Sequence, residues 1–182
     1  KSKKNIAENF KINPESFYGN SKLIAEKQIE FISKISKFNS IILRFSSVYG
    51  PELKRQIIYE IIKKNIKHKK VTLKGSNTDE RQFLYVKDCA QILSKLMYKK
   101  YKKYQIYNVS NGKKIKILDV VNLTSNFLNK KTETKFLNKF DSPMLPALSN
   151  KKILKKIGKF KFTSFEKGLK ETIDWVINKK FI

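Results

Sequence analysis

The chain contains 182 residues, of which 40% are hydrophobic, so it can bury a sizeable core and is too apolar to be wholly disordered. It has no apolar run of the ~18 residues that a membrane span requires, and its single cysteine, Cys89, excludes an internal disulfide, as is usual in a reducing cytoplasm. The 41 Lys and Arg outnumber the 15 Asp and Glu, and the resulting net charge of +26 would ordinarily indicate nucleic acid or an anionic membrane. Only three of the basic residues are Arg, the type that binds phosphates and base edges bidentately. We therefore attribute most of the charge to a compositional bias towards Lys, and expect a cytoplasmic protein without a membrane or nucleic-acid partner.

The first predicted element is a long helix over residues 17–38. Pro14 and Ser16 are typical of a helix start, and apolar residues follow on two faces at helical spacing. A helix that is apolar on two sides packs on two sides, against its own sheet and against another helix, which favours a homodimer. Residues 39–40 end the helix, and residues 41–45 are apolar enough for a short buried parallel strand.

The remaining elements continue this alternation. Further helices are predicted near residues 53–66, 88–98, 117–128, 150–157 and 164–178. Further extended segments are predicted at residues 71–73, 83–86, 105–109 and 132–137. Asp88 is predicted to cap the helix that follows it, Asn111 and Gly112 mark a turn, and residues 141–149 form a loop with two prolines. Helices alternating with apolar strands predict an α/β fold built on a parallel sheet.

Tyr18 and Lys22 are four residues apart and therefore lie on one face of the first predicted helix. A free tyrosine has a pKa of about 10 and is a poor base at neutral pH. A lysine ammonium a few ångströms away stabilises the phenolate and lowers that pKa towards the range of an acid/base catalyst. In so Lys-rich a chain this spacing also arises by chance, and an ordinary amphipathic helix surface is the competing interpretation.

Six blocks of the sequence, in order along nearly the entire chain, resemble the extended short-chain dehydrogenase/reductase family of nucleotide-sugar epimerases and dehydratases. The blocks include YGNSK at 18–22, LRFSSVYGP at 43–51, VTLKG at 71–75, RQFLYVKD at 81–88, YNV at 107–109 followed by NG, and FEKGL at 165–169. The resemblance implies the C-terminal part of a Rossmann-like parallel sheet joined to a smaller α/β substrate-binding domain. Residues 1–52 are assigned to the dinucleotide-binding part, with residues 83–98 packed on it, and residues 53–182 mainly to the substrate-binding domain.

The resemblance also implies a cofactor, NAD or NADP, and residues that serve it. Tyr18 would move a proton on a sugar hydroxyl while a hydride passes to or from nicotinamide. Lys22 would tune Tyr18 and hold the ribose hydroxyls of the nicotinamide nucleotide. Backbone groups around Phe45, Ser46 and Val48 would meet the nicotinamide carboxamide.

The implied substrate is a nucleotide-activated sugar. Ser47 stands in the turn where many relatives carry Asn, and is assigned to the substrate side. The backbone at Val71 and Leu73 would lie beside the nucleotide base, and Arg81 would pair with the diphosphate. A surface ion pair between Arg81 and a neighbouring acidic residue is the alternative. No metal site is expected, because the sole histidine, His68, stands among lysines and Cys89 has no partner at ligand spacing.

The chain departs from the family pattern in three places. No glycine-rich G-x-x-G-x-x-G loop is present. The third catalytic residue, a Ser or Thr, would fall before Lys1, and the late loop has Leu137 and Asn138, with Lys139 nearby, where an Arg pair often precedes an Asp such as Asp141. We therefore expect the C-terminal portion of a longer enzyme, inactive by itself. Two alternatives stay open: a reductase of the same fold that acts on a non-nucleotide carbonyl, and a non-enzymatic basic module that binds nucleic acid.

Overall fold

The computed structural model describes residues 5–36, 38–101, 103–137 and 146–179. The helices in these residues are α1 (Phe17–Ile35), α2 (Gln56–Lys67), α3 (Val86–Met97), α4 (Ile117–Phe127), α5 (Lys151–Ile157) and α6 (Phe165–Asn178). The strands are β1 (Ser40–Phe45), β2 (Ser47–Tyr49), β3 (Lys70–Leu73), β4 (Glu80–Tyr85), β5 (Tyr104–Val109), β6 (Lys114–Lys116) and β7 (Glu133–Phe136). None of the helices in the described ranges is long and apolar enough to cross a membrane.

The strands form parallel pairs, as predicted for an α/β fold. Strand β1 pairs with β5 in a register that sets Ser40 against Tyr104 and Phe45 against Val109. Strand β2 pairs in parallel with β4, and β6 lies antiparallel on the other side of β4. Strand β3 pairs in parallel with β7. Parallel strands need long crossover connections, and helices α2 to α4 lie in these connections.

Two hydrophobic clusters hold these elements together. The larger is formed by side chains of α2, α4, α6 and strands β2 to β4, with Ile61, Ile62 and Leu169 fully buried. The smaller unites α3, α5 and β5, and Ile41 and Leu43 of β1 pack against it. Strand β2 contributes to both clusters, because Tyr49 lies in the larger one and Val48 packs against the smaller one.

Helix α1 begins as its sequence predicts. The Ser16 hydroxyl accepts a hydrogen bond from Gly19 N at 3.0 Å, which satisfies one of the free N–H groups of the first turn. One face lies on the sheet of β1 and β5, where Ser33 and Ser40 share a hydroxyl–hydroxyl hydrogen bond. The opposite apolar face is exposed along its length, at Phe17, Ile24, Phe31 and Ile35.

Three predictions about the elements need correction. Helix α2 begins at Gln56 and not near residue 53, because Glu52 takes a left-handed backbone conformation with φ of 73° and extends the turn after β2. Asp88 is not the cap of α3: it lies inside the first turn, and its buried carboxylate accepts hydrogen bonds from Thr163 N and Oγ1 at 2.9 and 2.7 Å. Strands β2 and β6 were not predicted, because each has only three residues, too few to show the alternation of a strand. Residues 138–145, with Lys139, Asp141 and much of the predicted loop, lie outside the described residues.

Candidate active site

Tyr18 and Lys22 lie in the first turns of α1 on the same exposed face. The Lys22 Nζ atom is 5.3 Å from the centroid of the Tyr18 ring, and 74% of the Tyr18 surface is exposed. A Cβ atom on Gly19, between them in sequence, would lie 2.8 Å from Pro14 Cβ, so glycine permits the preceding segment to cross close to the helix. The pair can therefore meet a ligand from solvent while its helix stays anchored on the other side.

The segment before α1 forms a groove beside this pair. Asn108 at the end of β5 holds the segment: its Nδ2 donates to Ile6 O at 3.1 Å, and Glu8 Oε1 accepts from Asn108 N at 2.9 Å. The groove has a volume of about 360 Å³, and its lining includes Phe10, Pro14, Gly19, Lys22, Arg44 and Asn108. Its apolar walls and few polar groups are typical of a ligand site.

Two contacts fix the position of α1 along the direction of β1. Ser33 meets Ser40 at one end, and the Glu26 carboxylate binds the Arg44 guanidinium at the other, with Arg44 Nη2 2.6 Å from Glu26 Oε2. The helix therefore runs antiparallel to the strand. With rises of about 1.5 Å per helical residue and about 3.3 Å per strand residue, four residues back along α1 match about two residues forward along β1. This brings Lys22 level with Ser46.

The residues assigned to the cofactor lie at the end of β1 and just beyond it. Phe45 is 39% exposed, and Ser46 N donates to Val109 O at 3.0 Å. The Ser46 hydroxyl oxygen is buried, and no group among the described residues hydrogen-bonds to it. Val48 pairs with Leu84 of β4. A buried hydroxyl without a partner at a strand end is uncommon, and it is costly unless a ligand supplies a partner.

The residues assigned to the substrate lie on two other sheets. Ser47 pairs with Phe83, and Arg81 lies two residues earlier on the same strand with its side chain exposed. Val71 and Leu73 bury their side chains in the larger core, and Leu73 O accepts a hydrogen bond from Leu137 N after β7. The structure thus brings Ser47 and Arg81 to neighbouring strands, and sets Val71 and Leu73 on β3 in a separate two-stranded sheet.

The sequence reasoning missed the residues that support this site. Arg44 and Glu26 lie within matched blocks but had no role assigned, and neither did Glu8 or Asn108. Two features of the sequence could have indicated the roles of Arg44 and Glu26. Arg44 is one of three arginines in a lysine-rich chain, and Glu26 lies one turn after Lys22 on the same helix. The hydrogen bonds from Arg44 to Glu26 raise the pKa of the Arg44 guanidinium, so this side chain stays charged at any working pH.

Parallel strand pairs with helices between them define an α/β class of protein in which ligands bind outside the carboxyl ends of the strands. A sequence model of the NAD dependent epimerase/dehydratase family matches residues 1–110. The chain belongs to this family.

Individual relatives agree with the family. The chain is 27% identical over 135 residues to the uncharacterized UDP-glucose epimerase YtcB of Bacillus subtilis strain 168, covering 74% of this chain and 43% of that protein. It is 34% identical over 90 residues to a putative UDP-glucose 4-epimerase of Methanocaldococcus jannaschii, covering 47% of this chain and 30% of that protein. The chain thus spans less than half the length of these relatives.

Solved structures share the fold. UDP-glucuronic acid 4-epimerase from Bacillus cereus, in complex with UDP-glucuronic acid and NAD, matches with a TM-score of 0.88 at 23% identity, covering 98% of this chain and 58% of that one. A dTDP-glucose 4,6-dehydratase from Bacillus anthracis in complex with NAD matches with a TM-score of 0.86 at 23% identity, covering 98% of this chain and 57% of that one. The fold is therefore that of Rossmann-type epimerases and dehydratases, as predicted.

Proposed function

We propose that this chain carries the acid/base half of an NAD- or NADP-dependent enzyme that epimerises or dehydrates a nucleotide-activated sugar. The observation that carries the proposal is the Tyr18–Lys22 pair, with the ammonium 5.3 Å from the phenol ring on an exposed helix face. Its membership of the NAD dependent epimerase/dehydratase family supports the same reading. A cytoplasmic location goes with this proposal.

The residues present fit the nicotinamide end of such a cofactor. The unpartnered Ser46 hydroxyl, level with Lys22, offers a hydrogen bond to a polar ligand group, and the partly exposed Phe45 supplies an apolar contact beside it. Lys22 and Tyr18 can donate to ribose hydroxyls. When bound, the cofactor would supply the acceptor and donor for a hydride.

The protein residues then handle protons and position. Lys22 stabilises the Tyr18 phenolate electrostatically, so that the Tyr18 oxygen accepts a proton from a sugar hydroxyl and returns it. Arg81, exposed on β4, would bind the diphosphate with its planar fork, while Ser47 meets the sugar and the backbone at Val71 and Leu73 lies beside the base. Binding the nucleotide in this way holds the sugar carbon in the orientation that transfer requires.

We further propose that the 182 residues alone do not turn over substrate. They contain no glycine-rich phosphate loop and span 43% of one relative. The smaller hydrophobic cluster supports the division into two parts, because Leu84, Ile92 and Leu96 pack there with β1, β5 and α5. The larger cluster contains Phe83 and Tyr85 together with most elements of the substrate part. Substrate turnover by the isolated chain would refute this proposal.

The catalytic proposal is tested in the natural full-length protein with UDP-glucose and NAD. Tyr18→Phe removes the proton-transferring oxygen and is expected to lower kcat for the C4 epimer about 100-fold or more, with nucleotide binding retained. Lys22→Met is expected to lower kcat as well, because the negative charge that develops on the Tyr18 oxygen loses the neighbouring ammonium. Lys27→Met, at an exposed position of the same helix, is the matched control. Unchanged kcat in Tyr18→Phe would exclude the proposed mechanism.

Nucleotide binding distinguishes the proposed sugar-nucleotide enzyme from the alternative, a reductase of the same fold. A sugar-nucleotide enzyme binds UDP, and Arg81→Ala is expected to weaken that binding about tenfold by calorimetry. Lys116→Ala, exposed on the paired strand β6, is the control. Absence of UDP binding in the active full-length protein would favour a non-nucleotide carbonyl substrate.

The exposed apolar face of α1 supports a homodimer in the full-length protein. Phe17 is 99% exposed and Phe31 62%, which is costly for a face that stays in water. Phe31→Glu is expected to give a monomer in analytical ultracentrifugation, whereas Lys34→Glu on a polar position is not. A dimer that survives Phe31→Glu would remove this face from the interface.

A further inference from the structure

Two long segments of this chain carry lysines without any acidic residue. Residues 89–118 and 142–165 contain no Asp or Glu. The fold packs these segments together: α5 lies on α3 and β5, Lys156 Nζ donates to Lys100 O at 2.6 Å, and it lies 4.5 Å from the centroid of the Tyr101 ring. We call the resulting surface the lysine face and define it by the exposed side chains Lys95, Lys99, Lys100, Lys103, Lys155 and Lys159.

Exposed apolar side chains stand among these cations. At the end of α3, Met97 is 80% exposed, Tyr98 86% and Leu93 41%. Leu93 and Met97 are one turn apart and share a side of the helix. Large apolar groups so exposed, with Lys99 and Lys100 directly after them in the chain, indicate an interaction surface.

Within the described residues, the carboxylates nearest to the lysine face are engaged elsewhere. Glu26 and Glu30 of α1 act electrostatically on Tyr104, the first residue of β5. Glu30 is held between Lys27 and Lys34, each at 3.0 Å, and Glu26 is bound by Arg44. Asp88, at the start of α3, is buried. The face therefore keeps its positive potential.

The lysine face lies at the opposite end of the sheet from the candidate active site. Strands β1 and β5 are parallel, with Ser40 beside Tyr104. Residues 97–103 precede Tyr104, whereas the residues assigned to the cofactor begin at Phe45, at the other end of the six-residue strand, about 20 Å away. A partner on the lysine face leaves the active site open.

We propose that the lysine face binds the surface of an anionic membrane, with Met97, Tyr98 and Leu93 entering the headgroup region. Lysine ammonium groups are point charges that attract anionic headgroups without a fixed geometry. The aliphatic side chains at the end of α3 gain nothing from phosphates or base edges, but gain from an interface where apolar area leaves water. All three arginines lie outside the face. The inference goes beyond the enzymatic function and revises, for this surface, the expectation that the charge is compositional bias alone.

The test is cosedimentation of the 182-residue chain with vesicles of phosphatidylcholine, with and without about one-third phosphatidylglycerol, at physiological salt. Binding to the anionic vesicles alone is expected. The triple variant Lys95→Glu, Lys99→Glu, Lys155→Glu is expected to lower the partition coefficient about 100-fold. The matched variant Lys67→Glu, Lys131→Glu, Lys135→Glu has the same net charge but alters exposed lysines outside the face, and is expected to change it less than about threefold.

The apolar contribution is tested at constant charge. Leu93→Ser with Met97→Ser is expected to weaken anionic vesicle binding about tenfold, with thermal unfolding of every variant compared beforehand. Equal binding to pure phosphatidylcholine, or equal loss in both triple variants, would overturn the proposal. So would binding of a single-stranded oligonucleotide that depends on the lysine face while anionic vesicles are not bound.

Discussion

The Glu26 carboxylate accepts both arms of the Arg44 guanidinium, from Nε at 2.9 Å and from Nη2 at 2.6 Å. The third nitrogen, Nη1, donates to Glu8 O at 3.1 Å. One side chain of β1 thereby holds helix α1 and the segment before it. Because the pair proposed to be catalytic lies on α1, and the residues proposed to meet the cofactor lie at the end of β1 and after it, this ion pair sets the distance between the two halves of the candidate site.

Breaking that ion pair is expected to destabilise the fold. Glu26→Gln leaves the Arg44 charge with one acceptor fewer, in a place where both side chains are largely buried, 20% and 16% exposed. We expect the free energy of unfolding to fall by about 2 kcal/mol in urea titrations. The control is Glu133→Gln, which breaks an exposed pair with Lys70 and is expected to cost less than about 0.5 kcal/mol. Equal losses in the two variants would mean that the Glu26–Arg44 pair holds α1 no better than a surface contact.

A second anchor joins α3 to the segment that leads into α6. The carboxylate of Asp88, 2% exposed, accepts from both Thr163 N and Thr163 Oγ1. Asp88→Asn replaces one acceptor oxygen with a donor, so one of these two donors loses its partner in a buried place. We expect a loss of about 2 kcal/mol in the free energy of unfolding. Thr163→Ser, which keeps both donors, is the control and is expected to stay within about 1 kcal/mol.

The element order was predictable because helical and strand periodicities were strong in α1, β1, β5, α4 and α6. The site was predictable only where the residues were close in sequence, as Tyr18 and Lys22 are. The contact of Arg44 with Glu26 spans 18 residues, and that of Asp88 with Thr163 spans 75. No local pattern encodes such pairs: a carboxylate near a helix start is typical of a cap, and only packing directs Asp88 elsewhere. The gathering of two acid-free segments into the lysine face depends on tertiary structure in the same way.

The stability of α6 is expected to depend on pH through Glu171. Hydrogen bonds from Lys87 Nζ at 2.7 Å and Tyr85 Oη at 2.6 Å lower the pKa of Glu171 below its ordinary value of 4.5. A lowered folded-state pKa contributes stability above pH 4.5 that is lost as the pH falls through the folded value. The difference in unfolding free energy between the native chain and Glu171→Gln should therefore be constant near neutral pH and shrink below pH 4.5. Asp174→Asn, exposed on the same helix, is the control; a difference independent of pH would contradict the assignment.

Close packing of α6 on β2 and β4 is expected to make Gly168 intolerant of alanine. A Cβ at this position would lie 2.9 Å from Tyr85 Cδ2 and against the Tyr49 hydroxyl, whose hydrogen bond to Phe165 O helps to seat the first turn of α6. Alanine favours a helix by about 1 kcal/mol over glycine, whereas overpacking costs about 1–3 kcal/mol.

We expect Gly168→Ala to lower the free energy of unfolding by about 1–2 kcal/mol, because two aromatic rings fixed in the core cannot both withdraw. Tyr49→Phe removes the hydroxyl that the new methyl group meets. Gly168→Ala is therefore expected to cost less free energy of unfolding in the Tyr49→Phe background than in the native chain. The difference in stability between Lys170→Ala and Lys170→Gly, at an exposed position of the same helix, measures the propensity effect without the clash. A Gly168→Ala variant as stable as the native chain would mean that α6 can move away from β2 and β4 at little cost.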